Sequence, residues 1–89
     1  MAEQGYQVEI EMVAAKALLR FDRPTQLRLR NVIAGLENEP RPHGAIKLTG
    51  TDGYRIRVGD YRIVYLIEDE IKVVTVTRIA HRRDVYRRL

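Results

Sequence analysis

The sequence predicts an α+β fold in which two N-terminal helices pack on one face of a small, mainly antiparallel sheet of about four strands. Two segments of the first half have helical composition or spacing, and the second half alternates apolar and polar residues with a period of two. The 89 residues contain no internal repeat and no linker that would divide them. We therefore expect one domain that spans residues 1–89.

The first half of the chain begins with a strand and continues with helices. Residues 6–10 alternate apolar and polar side chains, which predicts a strand. Residues 12–21 are rich in alanine and leucine, which predicts a short helix. Pro24 can occupy the first turn of a second helix that runs to about Asn38. The apolar residues of that helix keep helical spacing at Leu29, Val32, Ile33 and Leu36.

The second half of the chain predicts a strand meander. Two prolines end the second helix, and residues 41–53 are interpreted as a loop. Gly59-Asp60 is a good two-residue hairpin turn, because glycine tolerates a positive φ. The predicted strands are residues 54–58, 61–67 and 71–79, with a second turn at residues 68–70 and a short basic tail at residues 80–89.

The predicted hairpin turn fixes which side chains share a face. If Val58 pairs with Tyr61, then Arg57 lies opposite Arg62. Alternate residues point to opposite faces, so one face is apolar and suited to cover a core beneath the helices. Its members are Tyr54, Ile56, Val58, Tyr61, Ile63, Tyr65 and Ile67. The other face holds three arginines, Arg55, Arg57 and Arg62, with Val64 and Leu66 further along.

An arginine cluster of this kind indicates an anion site. Like charges that lie opposite each other destabilise a strand pair, and no acidic residue occupies a matching position of these two strands. Arginine stays charged and forms bidentate hydrogen bonds with phosphate. The alternative is a polar sheet face whose arginines are simply solvated.

The composition excludes several classes of protein. The chain has no cysteine, which excludes a disulfide scaffold, a thiolate metal site and a thiol nucleophile. No apolar run approaches the roughly 18–20 residues of a membrane span, and the acidic N-terminus lacks the apolar stretch of a signal peptide. We therefore expect a cytoplasmic protein that has neither a membrane nor a small-molecule cofactor as a partner.

Basic residues are concentrated in the second half of the chain. Residues 41–65 contain five basic and two acidic residues, and residues 78–89 contain five arginines and one aspartate. The formal net charge is +4 at pH 7. This distribution favours a polyanionic partner over ordinary solvating charge.

The segments described above resemble the RelE/ParE superfamily of bacterial toxins, most closely its RelE-like branch. The similarity covers nearly the whole chain and is most specific from Tyr54 to Tyr65 and from His81 to Tyr86, and it includes residues 46–50 in the predicted loop. RelE-like toxins are endoribonucleases that cut messenger RNA in the ribosomal A site. The resemblance therefore implies a RelE-like fold and a toxin of a type II toxin–antitoxin system.

The resemblance also implies catalytic positions in the hairpin and the tail. Arg55 and Arg57 match basic positions of the family's catalytic strand, and Arg62 matches the arginine of its tyrosine-arginine motif. In the tail, Arg82 and Tyr86 match functional positions of the family. Three further basic residues are expected to bind substrate, namely Lys47, Arg78 and Arg83. Some relatives use a histidine near this part of the tail as acid or base, which makes His81 a further candidate.

RNA supplies its own nucleophile, the 2′-hydroxyl, so the expected reaction needs no metal ion. His43 and His81 are the only histidines and have no carboxylates at ligand spacing, so we predict no metal site. We expect the arginines to stabilise the scissile phosphate and Tyr86 to act as general base, because neighbouring cations lower the pKa of a tyrosine. Arg82 or His81 would act on the leaving oxygen.

The expected partners are a cognate antitoxin protein and messenger RNA on the 70S ribosome. Three alternatives remain at this point. ParE-like members of the superfamily inhibit DNA gyrase without nuclease activity, and the basic face could bind nucleic acid without cleaving it. A decayed toxin that only binds its antitoxin is the third alternative.

Overall fold

The computed structural model describes residues 5–83, which form two helices and a five-stranded sheet. In chain order the elements are β1 (Gln7–Ile10), α1 (Met12–Leu19), α2 (Arg23–Gly35), β2 (Ile46–Lys47), β3 (Gly53–Val58), β4 (Tyr61–Glu68) and β5 (Val73–His81). The strands lie in the order β1-β5-β4-β3-β2. β1 runs parallel to β5, and every other pairing is antiparallel.

The predicted α+β fold is confirmed, with one strand more than expected. Ile46 and Lys47 form β2 within the segment that was predicted to be loop, and they pair with Arg55 and Tyr54 of β3. A two-residue strand is too short to show an alternating pattern, which explains why the sequence does not reveal it.

The second helix ends a few residues earlier than its spacing predicts. The backbone N–H groups of Leu36, Glu37 and Asn38 bond to carbonyls three residues back, which tightens the chain into a turn after Gly35. Leu36 is nevertheless completely buried, so the apolar stripe continues past the end of the helix into the core.

The core lies between the two helices and one face of the sheet. α1 packs on β5, and α2 contacts α1 and β3. The largest fully buried side chains are Tyr65, Leu29, Leu36, Ile63, Val74 and Val76. The apolar hairpin face predicted from the sequence therefore covers the core as expected, with Tyr54, Val58 and Tyr61 packed at its edges. The opposite face of the sheet is left for the arginines.

A network of polar side chains lies at the end of the sheet that is remote from the β3–β4 hairpin turn. Arg41 donates two hydrogen bonds to the carboxylate of Asp69, at 2.7 and 3.2 Å, and a third from Nε to the hydroxyl of Tyr54 at 3.0 Å. The hydroxyl of Tyr6 donates to the same carboxylate at 2.7 Å. The Arg41 guanidinium and the Tyr6 hydroxyl together hold the pKa of the Asp69 carboxyl below its usual value.

Candidate functional site

The hairpin of β3 and β4 has the predicted register. Val58 pairs with Tyr61, Arg57 with Arg62, and Arg55 with Val64. Gly59 forms the turn with a φ of 60°, a conformation that glycine adopts without strain. Arg55, Arg57 and Arg62 therefore share the face of the sheet that points away from the helices. We call this surface the arginine face.

These three arginines line one open cavity of about 380 Å³ together with Gly44 and Ile46. The exposure of the arginines differs. Arg57 is exposed, Arg55 is half-buried, and only 3% of Arg62 is accessible to solvent. The sequence predicts a surface patch of three arginines, whereas in the structure Arg62 is buried. Burial on this face varies along β4, since Arg62 is buried whereas Leu66, on the same face of the strand, is 38% exposed.

The cavity concentrates positive charge. Among residues 5–83, ion pairs join Arg41 to Asp69 and Arg82 to Asp60. Like charges that lie side by side on a strand pair repel each other. An anion that enters the cavity would relieve this repulsion, and the burial of Arg62 would strengthen its attraction for the anion.

A tight turn builds the rim of the cavity. The backbone N–H of Ala45 donates to the carbonyl of Pro42 at 3.0 Å, and Gly44 has a φ of 96° at the third position of this turn. The chain then enters β2, where Ile46 pairs with Arg55 and is 51% exposed. The sequence interpretation assigned no role to Gly44 or Ile46. The signal that could have revealed them is a proline two residues before a glycine, which is typical of a turn.

A bulge in β5 decides which side chains of that strand face the arginines. Tyr65 pairs with Val76, whereas Val64 pairs with Arg78, so Thr77 is an extra residue whose hydroxyl donates to the carbonyl of Val64 at 3.3 Å. One inserted residue reverses the alternation beyond it. Arg78 is thereby brought to the arginine face, across Val64 from Arg55.

The same reversal turns His81 away from the cavity. His81 pairs with Tyr61, and the two rings meet edge to face with centroids 5.3 Å apart. The Nδ1 atom of His81 accepts a hydrogen bond from the backbone N–H of Arg83. Tyr61 also contacts the ring of Phe21, so His81 belongs to an aromatic cluster on the helix side of the sheet.

Lys47 also lies on the helix side, because its neighbour Ile46 occupies the arginine face. It pairs with Tyr54, lies over that ring at 5.9 Å, and donates a hydrogen bond to the carbonyl of Thr51. Among the residues predicted to bind substrate, Lys47 is therefore separated from the cavity by the sheet.

The tail is described only as far as Arg83. The backbone N–H of Arg82 donates to the carbonyl of Asp60 at 2.7 Å, and its guanidinium lies 3.9 Å from that carboxylate. Arg82 lies two residues after Ala80, which pairs with Arg62. Its contacts with Asp60 connect it to the hairpin turn. Arg82 and Arg83 are both exposed, and Tyr86 lies outside the described residues.

Residues 5–83 contain neither a group of metal ligands nor a helix that could span a membrane. No three histidine, aspartate or glutamate side chains in this range are grouped so that they could hold a metal ion. Neither α1 nor α2 has the length and apolar character that crossing a membrane requires.

Comparison with known proteins supports the sequence resemblance. Residues 8–86 match the family described as the ParE toxin of the type II toxin–antitoxin system parDE. Toxin RelG of Mycobacterium tuberculosis is 45% identical over 42 residues, which are 47% of this chain and 46% of RelG. The chain thus spans about half the length of that relative.

Solved structures of RelE toxins share the fold. The RelE–RelB complex of the archaeon Pyrococcus horikoshii is 34% identical with a TM-score of 0.81, covering 92% of this chain and 97% of that chain. The isolated RelE toxin of E. coli is 26% identical with a TM-score of 0.75, covering 94% and 99%. The E. coli RelBE toxin–antitoxin complex gives 26% identity and a TM-score of 0.75, covering 85% and 95%. The chain therefore belongs to the ParE toxin family of type II toxin–antitoxin systems, as a RelE-like member of the RelE/ParE superfamily.

Proposed function

We propose that this toxin is a ribosome-dependent endoribonuclease that cleaves messenger RNA in the A site through attack by the 2′-hydroxyl. The observation that supports this most directly is the buried guanidinium of Arg62, which lines one cavity with Arg55 and Arg57. Such a group binds a phosphodiester with two parallel hydrogen bonds and keeps its charge at every physiological pH. The resemblance to RelE toxins supplies the substrate class.

The reaction forms one bond and breaks one. A base removes the proton of the 2′-hydroxyl, the 2′-oxygen attacks the adjacent phosphorus, and the bond from phosphorus to the 5′-oxygen breaks. The products are a 2′,3′-cyclic phosphate and a 5′-hydroxyl, which takes up one proton. Negative charge grows on the non-bridging oxygens, and the cavity arginines would stabilise that charge in the transition state.

The general base and the group that acts on the leaving oxygen are both assigned to the tail. Tyr86 remains our candidate for the general base, on the strength of the sequence resemblance. Of the two candidates for the leaving group, the placement of His81 against Tyr61 on the helix side favours Arg82. An arginine is a poor proton donor because its guanidinium holds its proton strongly. Arg82 would therefore stabilise the leaving oxygen, and water would supply the proton.

We infer dependence on the ribosome because the cavity is open and few of the described side chains could position RNA. Among residues 5–83, the residues that line it are Gly44, Ile46 and the three arginines. Such a site can hold a phosphate but has few groups that could bend RNA into the in-line geometry that the reaction needs. The ribosomal A site would impose that geometry. We expect strong cleavage on ribosomes that display an A-site codon and weak cleavage of naked RNA.

The proposed partner is a cognate antitoxin. The solved complexes of RelE from Pyrococcus horikoshii and E. coli each contain a RelB antitoxin. A protein that covers the arginine face would block the cavity, and an acidic segment that folds on binding suits a face of this charge.

The main rival is inhibition of DNA gyrase, which the description of the matching family as ParE toxins favours. Inducible expression in bacteria of the wild type, Arg62→Ala and Tyr86→Phe, with mapping of RNA ends, separates the two. A nuclease produces new messenger RNA ends that both variants reduce. Growth arrest without RNA cleavage, accompanied by DNA damage, would move the assignment to gyrase. Arg30→Ala is the matched control, because Arg30 is an exposed arginine of α2, on the far side of the sheet.

A further inference from the structure

We propose that Ile46 forms an apolar wall against which one nucleobase packs while the arginines hold the adjacent phosphate. The inference rests on the proposed function, since it names the part of the RNA that occupies the remaining space of the same cavity. Ile46 thereby has a positioning role, although it is an uncharged residue to which the resemblance assigns no function.

The geometry places an apolar group among cations. Ile46 pairs with Arg55 across the β2–β3 ladder, so their side chains lie side by side on the arginine face. The cavity is lined by both of them, and 51% of Ile46 is open to solvent. A β-branched side chain offers no hydrogen bond to a phosphate, but it packs well against the flat face of a base.

The size of the cavity indicates that a phosphate alone does not fill it. A volume of about 380 Å³ corresponds to roughly a dozen water molecules at about 30 Å³ each. A phosphate group has five heavy atoms and displaces fewer than half of these waters. Of the described residues that line the cavity, Ile46 and Gly44 carry no charge.

The turn before β2 holds the wall in position. The left-handed backbone of Gly44, within the turn closed by the Ala45–Pro42 hydrogen bond, directs the chain into the ladder with β3. Backbone pairing with Arg55 and Tyr54 then fixes the face on which Ile46 lies. The wall is thus part of the same sheet as the arginines.

The test is a titration of the purified toxin followed through its isoleucine methyl groups by NMR. The probes are adenosine 3′-monophosphate, ribose 5-phosphate and inorganic phosphate, each added to wild type and to Ile46→Ala. Ile71 is the matched control, because it is 64% exposed at the opposite end of the sheet. We expect the adenosine nucleotide to shift the Ile46 methyl through the ring current of its base, and to leave the Ile71 methyl unchanged.

The variants give the magnitude. Loss of the Ile46 side chain should weaken binding of the nucleotide roughly five-fold, since about half of an isoleucine side chain is available for burial. The same change should leave the affinity for inorganic phosphate unaltered, and Ile71→Ala should change neither affinity. Both isoleucines are exposed, so the variants are expected to fold, and circular dichroism checks that they do.

Three outcomes would overturn the inference. These are an Ile46 methyl that does not respond to the nucleotide, one that responds equally to ribose 5-phosphate, and an equal loss of affinity for nucleotide and phosphate in Ile46→Ala. The titration needs no cleavage, so its result is separate from that of the nuclease assay. A nucleobase wall could be demonstrated on a protein that cuts no RNA, and an active nuclease could lack it.

Discussion

The difference in burial between two opposed arginines provides the sharpest test of the proposed active site. Arg57 and Arg62 are direct neighbours across the hairpin, yet Arg57 is exposed and Arg62 is 97% removed from solvent, with 3% accessible. Methionine in place of either residue removes the charge and keeps most of the aliphatic stem. The two substitutions change the net charge of the protein equally, so long-range attraction to RNA falls by the same amount.

The expected losses differ by more than an order of magnitude. Removal of one preorganised donor from a buried site costs about 2.7–4 kcal/mol of transition-state stabilisation, so we expect Arg62→Met to cleave roughly 100–1000 times more slowly. A charge at an exposed position contributes about 1 kcal/mol or less, which corresponds to a five-fold loss at most for Arg57→Met. Arg62→Lys should fall between the two, because lysine keeps the charge but not the bidentate geometry.

The assay is single-turnover cleavage of messenger RNA on ribosomes that carry an empty A site, with detection of the 2′,3′-cyclic phosphate. Arg30→Met controls for the change in net charge, and thermal unfolding followed by circular dichroism verifies that each variant is folded. Equal losses for Arg57→Met and Arg62→Met would refute the argument from burial. Full activity of Arg62→Met would remove the cavity from the mechanism altogether.

Three further predictions concern stability. Tyr65→Phe should lower the free energy of unfolding by about 1–2 kcal/mol, measured by urea titration. The reason is that the tyrosine hydroxyl donates a buried hydrogen bond of 2.8 Å to the carbonyl of Pro40, which phenylalanine cannot make. An unchanged free energy of unfolding would contradict this prediction. Asp69→Asn should lower the melting temperature at pH 7 but not near pH 2. The pKa of Asp69 is lowered in the folded state, so its contribution is complete above the unfolded pKa near 4 and disappears as the pH falls through the folded value; a difference independent of pH would contradict this. Gly59→Ala should cost about 1 kcal/mol, since φ is 60° and the added Cβ would approach a guanidinium nitrogen of Arg28 at 3.1 Å, and unchanged stability would mean that the turn has rearranged.

The sequence by itself determined the features that depend on near neighbours. The period-two alternation and the Gly59-Asp60 turn predicted the register of β3 and β4, and that register placed Arg57 and Arg62 side by side on the face opposite the core. Helical spacing predicted Leu29 and Ile33 as core residues of α2, and both are buried. These inferences succeeded because side-chain direction within one strand or helix is set by residues two to four positions away.

The tertiary structure decided what depends on distant segments. The two-residue strand β2 exists because Ile46 and Lys47 pair with β3, and this pairing gives the cavity its apolar wall. The bulge at Thr77 reverses the alternation of side chains along β5. Arg78 therefore lies on the arginine face, and His81 lies on the helix side. Arg62 is buried whereas Leu66, on the same strand and face, is 38% exposed, a difference that the alternating pattern does not contain. Ladder pairing, bulges and burial are set by contacts between segments far apart in the chain, and a local pattern of polar and apolar residues contains no record of them.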